Sequence, residues 1–186
     1  MLYVLILFLV ILDQWSKYLI STQFELHQVY PIIDSFFSIT YYHNSGGAFS
    51  FLAETDWGII LLSIISIIVS TVILFFIVRL KNMQVFWIRF SMALLVSGSI
   101  GNMIDRVRTG AVIDFFMFTF GSYTFPIFNV ADMCIVIGSC LLAFFMIIDK
   151  KIFGTKKTDA ADHTDDTIDD SVPFALREGE STTNDI

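Results

Sequence analysis

Charged side chains are scarce in this chain. Asp, Glu, Lys and Arg make up 16% of its 186 residues, while 55% are hydrophobic and 20 are Phe. An ordinary soluble domain carries about 25% charged residues. So little polar surface cannot cover a body of this size in water, which excludes a freely soluble protein and points to a membrane protein. Cysteine is nearly missing too: Cys134 and Cys140 lie six apart inside one apolar run and read as packing residues, not as a disulfide or redox pair. His27, His43 and His163 are the only histidines and show no H-E-x-x-H spacing, so no metal and no cofactor are expected. No G-x-S-x-G elbow and no P-loop occur. Nucleic acid is not an expected partner.

The charges that are present divide unevenly. Residues 1–154 carry eight Lys and Arg against nine Asp and Glu; residues 155–186 carry three against nine. The net charge of -7 therefore belongs mostly to a C-terminal tail, whose Asp, Ser and Thr cannot bury enough surface to offset ordering entropy. Residues 155–186 are expected to be a disordered cytoplasmic extension, and residues 1–154 a nearly neutral membrane domain.

A helix crosses about 30 Å of hydrocarbon with about 20 apolar residues. Four runs meet that length: residues 2–20, 57–78, 85–104 and 127–148. The first holds Asp13 and Lys17, yet nothing basic precedes it and no small-residue cleavage site follows, so it reads as a retained span. Arg79 and Lys81 lie between spans two and three, with Arg89 close by at the start of span three, and Lys150, Lys151, Lys156 and Lys157 follow span four, whereas residues 21–56 contain no Lys or Arg. By the positive-inside rule both termini face the cytoplasm, and residues 21–56 and about 105–126 face outward. The outer segments are rich in β-branched and aromatic residues. Phe36–Tyr42, Ala111–Phe120 and Tyr123–Phe128 read as strands. The expected fold is an α-helical membrane protein of four spans with a small extracytoplasmic β-sheet.

Ionisable groups inside such spans cost at least about 2.5–3.5 kcal/mol at the bilayer centre, so each is a candidate for function. Asp13 and Lys17 are four apart on one helix face and can neutralise each other, for structure or for chemistry. Asn102, Asp105 and Arg106 gather at the outer end of span three. There Arg106 beside Asp105 is expected to hold that carboxylate ionised, a scaffolding role. Ser97 and Gly101 form a small-xxx-small step for a close helix neighbour. Asp114 has no adjacent residue to neutralise it, and Asp132, three after Asn129, stands at the same depth. Two carboxyls that meet share a proton, and such a pair can activate water without metal or covalent intermediate.

Five motifs, taken together, resemble the bacterial lipoprotein signal peptidases, or signal peptidase II. They are Asp13-Gln14-Trp15-Ser16-Lys17, Asn44-Ser45-Gly46-Gly47-Ala48-Phe49, Gly101-Asn102-Met103-Ile104-Asp105-Arg106, Val112-Ile113-Asp114-Phe115 and Phe128-Asn129-Val130-Ala131-Asp132. They follow the family's order over about residues 1–150. Gly47 departs from the family's commoner Ala, and the tail lies outside the resemblance.

The resemblance implies an aspartic endopeptidase of the bacterial cytoplasmic membrane. Its substrates would be diacylglyceryl-modified prolipoproteins, cut just before the lipid-modified Cys. It places the catalytic pair at Asp114 and Asp132 and substrate-positioning or supporting roles at Asn44, Gly46, Asn102, Arg106 and Asn129. Asp13 and Lys17 carry over as structural supports, a role already given to Asp105. Membrane lipids would be partners and globomycin-type inhibitors would occupy the same cleft. Without the resemblance, the membrane aspartates also suit a small transporter or channel, or a non-catalytic scaffold.

Overall fold

A computed structural model describes residues 1–46, 57–81 and 85–148. Gly47 and the acidic tail lie outside the described residues. The four apolar runs form helices α1 (Leu2–Gln23), α2 (Gly58–Arg79), α3 (Phe86–Thr109) and α4 (Val130–Ile148), each long and apolar enough to cross a membrane. Their outward faces suit hydrocarbon: Leu7, Phe8 and Ile11 on α1, Ile60, Ile68 and Phe75 on α2, and Phe144 and Ile147 on α4 are all exposed.

The helix with the weakest apolar character holds the centre. α3 packs against each of the other three helices, and most of its buried residues are small or polar, among them Ser91, Ala93, Ser97, Gly98 and Gly101. Small residues let backbones approach closely where no hydrophobic drive joins helices. The expected step at Ser97 and Gly101 is therefore used, and Gly98 widens it. Leu2, Ile6, Ile77, Ala93 and Val96 close the core toward the end of the bundle remote from the sheet.

The sheet joins the opposite ends of the helices. It contains β1 (Val29–Ile33), β2 (Phe37–Asn44), β3 (Val112–Phe120) and β4 (Tyr123–Thr124), all antiparallel, in the order β1-β2-β3-β4. Gly110, in the left-handed region at φ 73, ends α3 and donates its N–H to the Arg106 carbonyl at 3.1 Å. Glycine adopts that conformation without a Cβ penalty. The chain thereby turns sharply from α3 into β3, carrying Asp114 back over the helix end.

Three sequence expectations need correction, and one strand is new. α3 runs five residues further than its apolar stretch, to Thr109, so Asp105 and Arg106 stand on the same helix as Asn102. Tyr123–Phe128 is a strand only at its first two residues, because Pro126 has no N–H to give a ladder; Phe128 still bridges Phe116. β1 was not foreseen: its Pro31 masks a strand, but β1 is a sheet edge, where proline is tolerated. Cys134 is buried against Ser97, whereas Cys140 is exposed on the surface of α4 and packs no core.

Candidate active site

The site begins with buried charge. The Lys17 ammonium on α1 lies 2.9 Å from Asp13 Oδ2 and 2.7 Å from Asp105 Oδ2, all three side chains being almost fully buried. The sequence expectation paired Asp105 with Arg106; the structure pairs it with Lys17. Consecutive helix residues point about 100° apart, so Arg106 turns to the other side, where its guanidinium donates to the carbonyls of Asn102 and Gly46 at 3.4 Å. Asp13 also accepts the Ala131 N–H at 2.9 Å, and Asp105 the Ile113 N–H at 3.3 Å. This ion cluster thus ties α1 to α3, to α4 and to β3.

Gln14 completes the cluster and was missed from sequence. Its Nε2 donates to Asp105 Oδ1 at 2.9 Å and the Gly101 carbonyl at 3.1 Å, with a longer 3.3 Å contact to Asp13 Oδ2. An amide beside Asp13 in an otherwise apolar run was the available signal. Gly101 lets α1 approach closely: a Cβ there would stand 2.5 Å from Asp13 Oδ2 and 3.2 Å from the Ala131 Cβ.

Above this cluster lie Asp114 and Asp132 with three asparagines. Asn129 immediately precedes α4, and its Oδ1 accepts the Asp132 N–H at 2.9 Å while its own N–H reaches Asp132 Oδ2 at 3.2 Å. This is the reciprocal geometry of a capping box, with Asp at the third helical position. Asp132 Oδ1 accepts from Asn102 Nδ2 at 2.7 Å. The Asn129 side chain donates to Asp114 Oδ1 at 2.6 Å and to Asn102 Oδ1 at 3.2 Å. Asn44 Nδ2 donates to Asp114 Oδ2 at 3.0 Å, and the Asn44 Oδ1 takes the Gly46 N–H at 3.0 Å. An irregularity between Ile39 and Tyr42 in β2 gives that strand one more residue than β3, leaving Asn44 opposite Val112. Paired residues share a sheet face, so Asn44 lies diagonally across from Asp114 on the same side.

Asp114 is 1% exposed and Asn129 0%. Burial, and then the nearby Asp132 charge, push the Asp114 carboxyl up to about 7, against the Asn44 and Asn129 hydrogen bonds and the Lys17 charge. Both aspartates border a cleft of about 370 Å³, together with Asn44, Asn102 and Arg106. Leu62 and Ile65 of α2, Ile135 and Val136 of α4 and the 125–128 segment supply its apolar walls. The cleft thus offers two carboxyls and amide donors to an apolar ligand that carries a polar centre. His43 is instead bonded to the Tyr41 hydroxyl at 2.8 Å, and His27 lies against the Tyr42 ring. Among the described residues no three His, Cys, Asp or Glu side chains converge as metal ligands would.

The profile of the signal peptidase (SPase) II family matches residues 5–148. The chain belongs to that family. A lipoprotein signal peptidase of Geobacter sulfurreducens is 42% identical over 141 residues, covering 76% of this chain and 88% of that protein. One from Haemophilus ducreyi is 40% identical over 154 residues, covering 82% and 92%. A solved bacterial membrane enzyme, determined by the in meso method at 2.3 Å resolution, superposes with a TM-score of 0.70 at 31% identity, covering 84% of this chain and 92% of its own. A second, at 1.9 Å, gives 0.69 at 34% identity, covering 80% and 93%. As a member of that family the chain is a membrane protease, and the transporter and scaffold readings give way. All five motifs fall inside the matched span, but Gly47, Ala48 and Phe49 lie outside the described residues.

Proposed function

We propose that the protein removes the signal peptide from diacylglyceryl-modified prolipoproteins, cutting the peptide bond just before the lipid-modified Cys with Asp114 and Asp132. The observation that carries this reading is the Asn129 amide. It donates to one carboxyl and caps the helix turn bearing the other, so the two acids are held by one residue at one cleft.

The roles follow from the surroundings. Asp132 accepts two N–H bonds in the first turn of a helix, where negative charge is favoured; it serves as the base. Asp114, brought to about 7, holds a proton for much of the time near neutral pH and serves as the acid. Asp132 takes a proton from water, the water oxygen adds to the scissile carbonyl carbon, and Asp114 gives its proton to the carbonyl oxygen. The resulting diol collapses as the proton on Asp132 passes to the departing nitrogen and Asp114 recovers its own. The C–N bond breaks, leaving a carboxyl on the signal peptide and an amine on the Cys. No metal, cofactor or covalent intermediate is required.

Asn44, Gly46 and Arg106 border or approach the cleft and would position the substrate backbone; Asn102 and Asn129 would support the pair. Asp13, Lys17 and Asp105 would fix the elements beneath it. The membrane placement, in a bacterial cytoplasmic membrane with both termini inside and the site at the outer face, is supported by Arg79 at the end of α2 and Lys81 just after it, and by the lack of Lys and Arg in residues 21–56. At that level the cleft would meet a signal sequence whose lipid chains lie in the outer leaflet, and globomycin-type inhibitors would fill it. The test is purified protein with one precursor in two forms, with and without the diacylglyceryl group. Release of the signal peptide only from the lipidated form supports this substrate; equal cutting of both would refute it.

A further inference from the structure

We propose that Lys17 is a positioning residue for the reaction, acting through Asn102 on the catalytic pair, and not only an anchor between α1 and α3. This rests on the assignment of Asp114 and Asp132 as that pair.

An ammonium group has three donors and no acceptor. Lys17 uses all three: two on Asp13 and Asp105, and the third on Asn102 Oδ1 at 2.9 Å. The carboxylates alone would offset its charge. The third bond goes to a neutral amide, and its consequence is orientation. An Asn side chain can turn end for end with little change of shape, but Lys17 can meet only its oxygen. Asn129 Nδ2 points at the same oxygen from the far side. Reversing the Asn102 amide would set its NH2 against two donors, so its Nδ2 is aimed at Asp132 Oδ1 at 2.7 Å.

Both oxygens of Asp132 are then fixed, one by Asn102 and one by the Asn129 N–H. The same Asn129 Nδ2 is shared with Asp114 Oδ1 at 2.6 Å. A single buried cation on α1 thereby sets the direction of an amide on α3, which aligns one acid on α4 and steadies the donor to the other on β3. The charged groups around it are Asp13 on α1, Asp105 on α3, one amide away Asp132 on α4, and two amides away, through Asn102 and Asn129, Asp114 on β3. Arg106 stands on the cleft side of α3.

The test compares Asp105→Asn with the double variant Lys17→Met/Asp105→Asn. Relative to wild type the double variant removes one charge of each sign, so the cluster keeps its net charge, and Asp13 keeps the Ala131 N–H. Relative to Asp105→Asn, the double variant should fold but lose about 100-fold in kcat, the scale of a 1 Å misplacement, with little change in KM. Its activity profile should move to higher pH, because the Lys17 charge that lowers the Asp114 carboxyl is gone. A folded double variant with the kcat and pH profile of Asp105→Asn would overturn the proposal. Asp132→Asn in the same assay separates this from the underlying assignment: if it still turns over, the pair is wrong, whatever Lys17 does. A reading free of Lys17 variants comes from 15N-asparagine-labelled wild-type protein in detergent. One resolved, slowly exchanging Asn102 side-chain amide pair is expected, and two interconverting sets would overturn the fixed orientation.

Discussion

Asn129 and Asp132 hold each other at the start of α4, the side chain of each accepting the backbone N–H of the other at 2.9 and 3.2 Å. The arrangement is an ordinary helix cap, yet the capping amide also donates to Asp114. Fold and proposed chemistry therefore share one side chain. Asn129→Ala should cost about 1 kcal/mol as a lost cap, and it should lower kcat far more than that loss of stability accounts for. Thermal unfolding in detergent beside a turnover assay checks both. A variant that loses stability and keeps wild-type kcat would separate the cap from the chemistry.

The Asp114 carboxyl gives a pH dependence with a definite sign. Its pKa is about 7 in the fold against 3.8 ordinarily, so between those values the folded state binds more protons than the unfolded one. Stability then falls as pH rises through that window. Asp114→Asn removes the penalty, so the gain in thermal stability over wild type should be larger at pH 8 than at pH 4. Turnover should be absent at both. An equal difference at the two pH values would contradict the raised Asp114.

How much of this could be read beforehand depends on how local the cause is. The four spans were legible because a membrane helix is written as one continuous apolar run, and β2 and β3 because aromatic and β-branched residues cluster. β1 was hidden by Pro31, whose tolerance depends on being at an edge, a property of the assembled sheet. The aspartates stood out because charge in an apolar run is conspicuous. Their partners did not: Asp105 has Arg106 beside it in sequence but bonds Lys17 from another helix. Gln14 gave no contrast of charge, and its three acceptors come together only when α1 and α3 pack.

Helix approach supplies a prediction independent of the chemistry. A Cβ on Gly98 would collide with the Ala131 carbonyl oxygen and stand 2.7 Å from Ile135 Cγ1. Backbone of α4 cannot yield cheaply, so Gly98→Ala should destabilise the protein by about 1–3 kcal/mol, the usual cost of overpacking. Thermal unfolding measures it. An unchanged midpoint would show that α3 and α4 pack less tightly than described.

The proposed step uses two carboxyls and a water, so EDTA or phenanthroline should leave the rate unchanged. Inhibition reversed by adding a divalent metal would require a different mechanism.

The most direct test puts purified wild type, Asp114→Asn and Asp132→Asn on one lipidated prolipoprotein, with folding of each verified by its unfolding curve. Wild type should release the signal peptide, and both variants should be folded and devoid of turnover. Cleavage at the wild-type rate by either variant would contradict the assignment of these two aspartates as the acids that cut the bond.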